Sequence, residues 1–68
     1  MNIYAEKGHK VIFENENAGY EMQQKDIKEV LVVGQTYIVN YTEVESYSTD
    51  VYLEGYSQPF NSVFFVDA

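Results

Sequence analysis

Residues 34–44 carry the clearest secondary-structure signal in the chain: Gly34-Gln35-Thr36-Tyr37-Ile38-Val39-Asn40-Tyr41-Thr42-Glu43-Val44. β-branched and aromatic residues dominate this stretch, and such side chains suit the half-buried surface of a β-sheet. Successive side chains of a strand point to opposite faces. The face with Tyr37, Val39 and Tyr41 is the more continuously apolar, so we expect it to face the core. We expect Gly34 to end a preceding helix, because glycine adopts the left-handed conformation without a steric clash.

The segment before this strand predicts a short strand and a helix. Residues 10–14 form a short strand candidate, in which Val11 and Phe13 would face one way and Lys10, Ile12 and Glu14 the other. Between Tyr20 and Leu31 the apolar residues recur with a helical period, and good helix formers occupy residues 21–25. We therefore expect a helix at about residues 22–31 that covers one side of the sheet.

The segment after this strand predicts two more strands. Residues 47–54 alternate, with Tyr47, Thr49, Val51 and Leu53 on one face. Residues 61–66 form the last predicted strand. In that strand Val63 and Phe65 would point inward and Phe64 outward. Pro59 lies between the two strands, where its missing N–H group does no harm.

These elements predict a single mainly-β domain over residues 1–68. Several short strands with short connections favour a small SH3-like barrel. An antiparallel meander of four or five strands with the one short helix is the alternative. With 68 residues and no Cys, the protein must gain its stability from core packing or from an oligomer interface.

The charge composition restricts the partners that the protein can bind. The chain has 11 acidic residues and four Lys, with no Arg, and a net charge of -7. This balance opposes direct binding to nucleic acid or to anionic membranes, both of which attract Lys and Arg. No apolar run approaches the roughly 20 residues of a membrane helix. The first ten residues also lack the apolar core of a signal peptide, and we expect a cytoplasmic protein.

Three segments of the C-terminal half resemble a group of small proteins common in bacteriophages and prophages. The segments are Val33-Gly34-Gln35-Thr36-Tyr37-Ile38-Val39, Tyr47-Ser48-Thr49-Asp50-Val51-Tyr52-Leu53 and Phe60-Asn61-Ser62-Val63-Phe64-Phe65. The Phe-Asn-Ser-Val element is the most particular of them, and the Gly-x-x-Tyr-x-Val element is similar to SH3-like barrels. Members of the group are mostly uncharacterised. The resemblance implies a phage accessory protein with a small β-fold, and it brings no catalytic residues.

No residue pattern indicates catalysis, a cofactor or a metal. His9 is the only histidine, and no Ser or Asp lies near it in sequence to complete a catalytic triad. We expect a solvated surface side chain there. The acidic residues around Glu14 and Glu43 lack the order of a calcium-binding loop, so solvated charge is the better interpretation. Asn61 is expected to cap a turn. We therefore predict a protein that is not an enzyme and that holds no cofactor or metal.

The seven Tyr are the most informative feature, because a core of this size has no room for all of them. Exposed Tyr is enriched at protein interfaces, although it also serves simply as a good strand former. We hypothesise a non-enzymatic interaction module that binds a host or phage protein, and the same surface could also join two copies of the chain. Aromatic side chains would supply contact area and acids would steer a basic patch of the partner. The predicted contact residues are Tyr52, Tyr56, Phe64, Asp50, Glu54, Glu43 and Glu45.

The alternative is an acidic mimic of nucleic acid that inhibits a DNA- or RNA-binding host enzyme. In such a mimic the carboxylates stand in for phosphates. This function requires the acidic residues to lie in rows on one face of the molecule. Strand register decides whether they do, since a shift of one residue exchanges the core and surface faces.

Overall fold

The long strand predicted near residues 34–44 is the centre of the fold in the computed structural model, which describes residues 1–68. In chain order the elements are β1 (Lys10–Phe13), α1 (Glu21–Val30), β2 (Thr36–Val44), β3 (Thr49–Leu53), β4 (Pro59–Asn61), a 3-10 turn (Ser62–Phe64) and β5 (Phe65–Asp67). The predicted first strand and the helix are confirmed to within one residue at each end.

The strands form one antiparallel sheet of five strands in the order β4-β3-β2-β1-β5. The mainly-β prediction with one short helix is therefore confirmed, and the hydrogen-bonded sheet is open, with β4 and β5 as its edges. β2 joins the two halves of the sheet because its two partners pair with different parts of its length. Its first residues pair with β1, as Ile38 does with Lys10, and its last residues pair with β3.

A β-bulge divides β2 between these two pairings. Val39 is opposite Leu53 and Tyr41 is opposite Tyr52, so β2 contains one more residue than β3 at this point, Asn40. Such an extra residue reverses which face the following side chains occupy. Val39 is fully buried, but Tyr41 is 46% exposed. The prediction that Tyr41 points inward is therefore wrong.

The core lies between the inner face of the sheet and α1. Val11 and Phe13 of β1 are fully buried, and they share one face of the strand as predicted. Ile27 of α1 reaches the core, and so does Leu31, which directly follows the helix. On β3 the buried residues are Thr49, Val51 and Leu53. Tyr47 was predicted to share that inner face, but it precedes the strand and is fully exposed.

The last predicted strand is interrupted by the 3-10 turn. The side-chain oxygen of Asn61 accepts a hydrogen bond from the Val63 backbone N–H at 3.3 Å, so Asn61 caps this turn as expected. The turn rotates the chain, and as a result Phe64 is 1% exposed while Val63 is 45% exposed. The predicted orientations of Val63 and Phe64 are both wrong, whereas the inward orientation of Phe65 is confirmed.

Gly34 has the predicted left-handed conformation, with φ of +89°, but it does not end the helix. α1 ends at Val30, and Leu31 follows in extended conformation. Gly34 lies instead in a turn that the Gln35 N–H closes by donating to the Val32 carbonyl at 3.1 Å. This turn leads directly into β2.

Candidate functional site

Two tyrosines stack on the outer face of the sheet. Tyr41 of β2 and Tyr52 of β3 are cross-strand neighbours with ring centroids 4.3 Å apart and an angle of 11° between the ring planes. Tyr41 reaches this face because of the β-bulge, and Tyr52 because its neighbours Val51 and Leu53 point into the core. The pair therefore places two phenol rings, stacked face to face, on the outer face of the sheet.

Three carboxylates adjoin the stacked tyrosines. Glu43 is opposite Asp50 in the ladder, and Glu45 follows at the end of β2. Carboxylate oxygens from all three residues lie within 4.8 Å of one another. We call Tyr41, Tyr52, Glu43, Glu45 and Asp50 together the tyrosine–carboxylate face.

The acids of this face act on the neighbouring phenol. Partial desolvation and then the charge of Glu43 raise the pKa of Tyr52 above its ordinary value of 10.0, and Tyr41 and Asp50 act in the same direction. A phenol is already protonated at neutral pH, and the raised pKa keeps Tyr52 a hydrogen-bond donor to a still higher pH. The face as a whole can accept hydrogen bonds from a cationic group and can stack on a planar one.

The three carboxylates are also the residues that could hold a hard cation, since such ions prefer oxygen ligands. Glu43 and Glu45 are exposed and Asp50 is half-buried. Exposed acidic groups of this kind are common without an ion. Their proximity alone therefore does not identify a metal site.

The structure brings together four of the seven predicted contact residues, namely Tyr52, Asp50, Glu43 and Glu45. The other three lie elsewhere. Glu54 is exposed beyond the far end of β3. Tyr56 is half-buried and packs edge-on against Tyr37 and Phe60, each with a centroid distance of 6.0 Å.

Phe64 cannot contact a partner on the surface, because it is 1% exposed and packs against Phe13 at 6.0 Å. The residue that the sequence reasoning missed is Tyr41. Its exposure depends on the extra residue in β2, and no glycine or other local signal marks that position. Only the pairing with β3 reveals it.

His9 has a partner that is distant in sequence. Its Nε2 atom lies 2.6 Å from Oδ1 of Asp67, and the Asn2 backbone N–H donates to the same oxygen at 3.2 Å. The hydrogen bond from His9, followed by the one from Asn2, lowers the pKa of Asp67 below its ordinary value of 3.8. These contacts join the two ends of the chain at the surface. His9 is half-buried and hydrogen-bonded, in contrast to the free surface histidine that we expected.

The structure contains no helix with the length and apolar character needed to cross a membrane.

Comparison with known proteins identifies one family. The model of the family described as "Bacteriophage T4 protein Y07B" matches residues 2–67, which is nearly the whole chain. No curated protein matches the chain, and no solved structure does either. The family is a phage protein family of unknown function, and its description assigns no role to the tyrosine–carboxylate face.

Proposed function

The chain belongs to the bacteriophage T4 protein Y07B family, and on that premise we propose that it is a non-enzymatic module that binds a host or phage protein through the tyrosine–carboxylate face. One observation carries the proposal: a stacked pair of tyrosines lies directly beside three grouped carboxylates. Aromatic side chains supply most of the affinity of many interfaces, and charges at the rim increase the association rate. We place the complex in the cytoplasm, in keeping with a sequence free of Cys.

The charge distribution supports a basic surface on the partner. All four Lys and the one His precede residue 29, so no basic side chain belongs to β2, β3 or β4. The only acid that forms an ion pair with a Lys is Glu16, at 3.8 Å from Lys28. The carboxylates of the face are therefore free to attract a positively charged patch.

Within the mainly-β class, the strand arrangement supports the expectation of an SH3-like barrel. β2 is shared by two halves of the sheet, and the 3-10 turn connects the two edge strands, β4 and β5. Further curling of the sheet would bring these edges together. Nuclear Overhauser contacts between backbone protons of β4 and β5 would establish closure, and their absence would leave an open sheet.

Partner capture from host lysate tests the role of the aromatic pair. We expect Tyr41→Ala to reduce the recovery of a specific partner strongly, because it removes half of the stacked surface. Tyr4→Ala is the matched control, since Tyr4 is exposed and lies outside the face. Equal recovery with the two variants would contradict the proposal.

The same assay tests the acids. We expect a variant with Gln or Asn in place of the three carboxylates to capture less partner at about 50 mM salt, and the difference to shrink at about 500 mM salt, where charges are screened. The control neutralises three exposed acids outside the face, namely Glu6, Glu21 and Glu29. A control that loses as much binding would show that only the net charge matters.

The nucleic-acid mimic remains the second candidate function. In its favour is the group of three carboxylates within 4.8 Å of one another, but Glu54 lies outside this group, so the acids do not form a longer row there. The mimic predicts a partner protein that itself binds nucleic acid. This partner would no longer be captured at high salt, and Tyr41→Ala would capture as much of it as the wild type does. That combination of results would favour the mimic over the aromatic interface.

A further inference from the structure

The second half of β2 has an unpaired backbone edge. β1 covers only the first half of this strand: its register with β2 extends to Ile38, and the Gly8 N–H and the His9 carbonyl continue the pairing to Val39. β3 lies along the opposite side of β2 as far as the end of the strand. On the side of β1, no strand therefore pairs with residues 40–44.

The hydrogen bonds to β3 identify the backbone groups that point to this edge. The Glu45 N–H donates to the Ser48 carbonyl at 2.9 Å across the hairpin, so Glu43, two residues earlier, also directs its backbone groups to β3. Neighbouring residues of an antiparallel strand direct theirs to the other side. The N–H and carbonyl groups of Thr42 and Val44 therefore point away from β3, and no hydrogen bond of the N-terminal segment reaches them. These groups are available to an added strand.

The edge is accessible from solvent. Val44 is 44% exposed, and Glu43 beside it is exposed as well. The N-terminal segment bonds to this part of β2 only through the Thr42 side chain, whose hydroxyl donates to the Ile3 carbonyl at 2.7 Å. The Cα partner of Thr42 is the fully buried Val51, so this bond lies on the core side of the strand and leaves the backbone groups free.

The side chains beside the edge determine which segment it can bind. In an antiparallel pairing through Thr42 and Val44, Glu43 occupies a non-hydrogen-bonded position, where the side chains of two strands come closest. Asp50 is opposite Glu43 on the β3 side, and Glu45 completes the group of carboxylates. Opposite charges in cross-strand pairs are stabilising and like charges are destabilising. A Lys or Arg opposite Glu43 therefore fits the edge, and an acidic residue does not.

A second copy of this chain does not fit the same edge. Two β2 strands that pair through both residues place Thr42 of one copy opposite Val44 of the other, so that the two Glu43 side chains become direct neighbours. Their carboxylates repel each other, and each copy also carries a net charge of -7. Charged side chains on an exposed edge are a common protection against such self-pairing. The same charges attract a basic strand.

We propose that the second half of β2 binds an extended, basic segment of the partner protein as an additional strand of the sheet. The proposal rests on the proposed function, since it states how the partner of the tyrosine–carboxylate face is held. Backbone hydrogen bonds to Thr42 and Val44 supply affinity, as in other complexes formed by strand addition. A cationic side chain opposite Glu43 supplies specificity, and it lies on the same face of the sheet as Tyr41.

An NMR titration with the peptide acetyl-Thr-Lys-Val-Lys-Val-Lys-Thr amide as the probe tests the edge without knowledge of the partner. In the proposed pairing its two Val are opposite Thr42 and Val44, and its central Lys is opposite Glu43. We expect saturable shifts of the backbone amides of these three residues, with a dissociation constant in about the millimolar range. The peptide with Glu in place of each Lys should bind at least about tenfold more weakly, because it opposes like charges.

Methylated peptides separate strand addition from simple charge attraction. Methylation of the two Val nitrogens removes the donors to the Thr42 and Val44 carbonyls, and we expect it to weaken binding by about tenfold. Methylation of two Lys nitrogens, which face away from β2, should weaken it by less than about twofold. Both methylated peptides keep the charge of the parent peptide. Equal dissociation constants for the two would overturn the proposal.

Variants of the protein test the edge from the other side. Val44→Pro removes the Val44 N–H, which β3 does not use, and we expect it to weaken the parent peptide by at least about tenfold. The matched control Val44→Ala keeps this N–H and should weaken the peptide by less than about twofold. A dispersed amide spectrum confirms that each variant is folded, and if Val44→Pro does not fold, the methylated peptides decide the question.

Three results would overturn the proposal. The first is a set of shifts that do not saturate, and the second is equal binding of the peptide to Val44→Pro and Val44→Ala. The third is a dimer in sedimentation equilibrium that Val44→Pro abolishes, because a second copy would then occupy the edge.

The peptide titration and the partner capture fail independently. Peptide binding that needs the Val44 N–H, together with a partner insensitive to Tyr41→Ala, would keep the edge and reject the tyrosine–carboxylate face. A partner sensitive to Tyr41→Ala but captured equally by Val44→Pro and Val44→Ala would keep the face and reject the edge.

Discussion

The 3-10 turn before β5 determines which of two adjacent residues, Val63 or Phe64, packs in the core. This arrangement leads to a strong prediction about the stability of the protein. Phe64 is 1% exposed and Val63 is 45% exposed. A continuous strand would give the opposite orientations. Replacing Phe64 should therefore destabilise the protein strongly, and replacing Val63 should have little effect.

The magnitude follows from the contacts of Phe64. Its ring meets Phe13 edge-on at 6.0 Å with an interplanar angle of 86°. Such a pair contributes about 1 kcal/mol beyond the buried area. Phe64→Leu removes this contact and leaves unfilled volume, for a total of about 2 kcal/mol. Phe64→Ala would cost about 3–5 kcal/mol, which is comparable to the whole stability of a domain of this size, so leucine is the informative substitution.

Urea denaturation, followed by far-UV circular dichroism and by tyrosine fluorescence, measures the difference. With a denaturant dependence of about 1 kcal/mol per M, Phe64→Leu should lower the midpoint by about 2 M. The exposed control Val63→Ala should lower it by less than about 0.5 M, because substitutions at surface positions cost less than about 0.5 kcal/mol. If Val63→Ala lowers the midpoint as much as Phe64→Leu does, the assignment of the buried residue is refuted.

Three further predictions concern the surface. The pKa of Asp67 is lowered in the folded protein, so the stabilising effect of its carboxylate is complete above about pH 4 and is lost as the pH falls through the folded-state pKa. In acid, the stability of the wild type should therefore approach that of Asp67→Asn. A constant difference between their urea midpoints across that pH range would contradict the role of the hydrogen bond from His9. Glu43→Gln should raise the free energy of unfolding by about 0.5 kcal/mol, because Glu43 lies directly opposite another carboxylate, and a fall in stability would refute this repulsion. Thr42→Val should lower the free energy of unfolding by about 1 kcal/mol, because the Thr42 hydroxyl donates a hydrogen bond to the Ile3 carbonyl at 2.7 Å. The same substitution should accelerate hydrogen exchange of the backbone amides near the N-terminus. Unchanged exchange there would show that this hydrogen bond does not restrain the N-terminal segment.

Local patterns were sufficient to predict the elements that depend on neighbouring residues. The bounds of α1 and the inward residues of β1 follow from periodicity over a few residues, because a regular helix or strand repeats its exposure along the chain. The fold class followed in turn from the number and the spacing of these elements. The grouping of Glu43 and Glu45 could also be predicted from the sequence, since the two residues are close together in the chain.

The contacts between distant segments required the tertiary structure. Tyr41 joins the tyrosine–carboxylate face because β2 gains one residue relative to β3, and the inward position of Phe64 depends on a turn that packs its ring against Phe13. His9 meets Asp67 across 58 residues. Sequence periodicity therefore determined which segments form helix and strands. Only strand pairing and core packing decided which tyrosines and acids share one surface, because both depend on residues that are far apart in the chain.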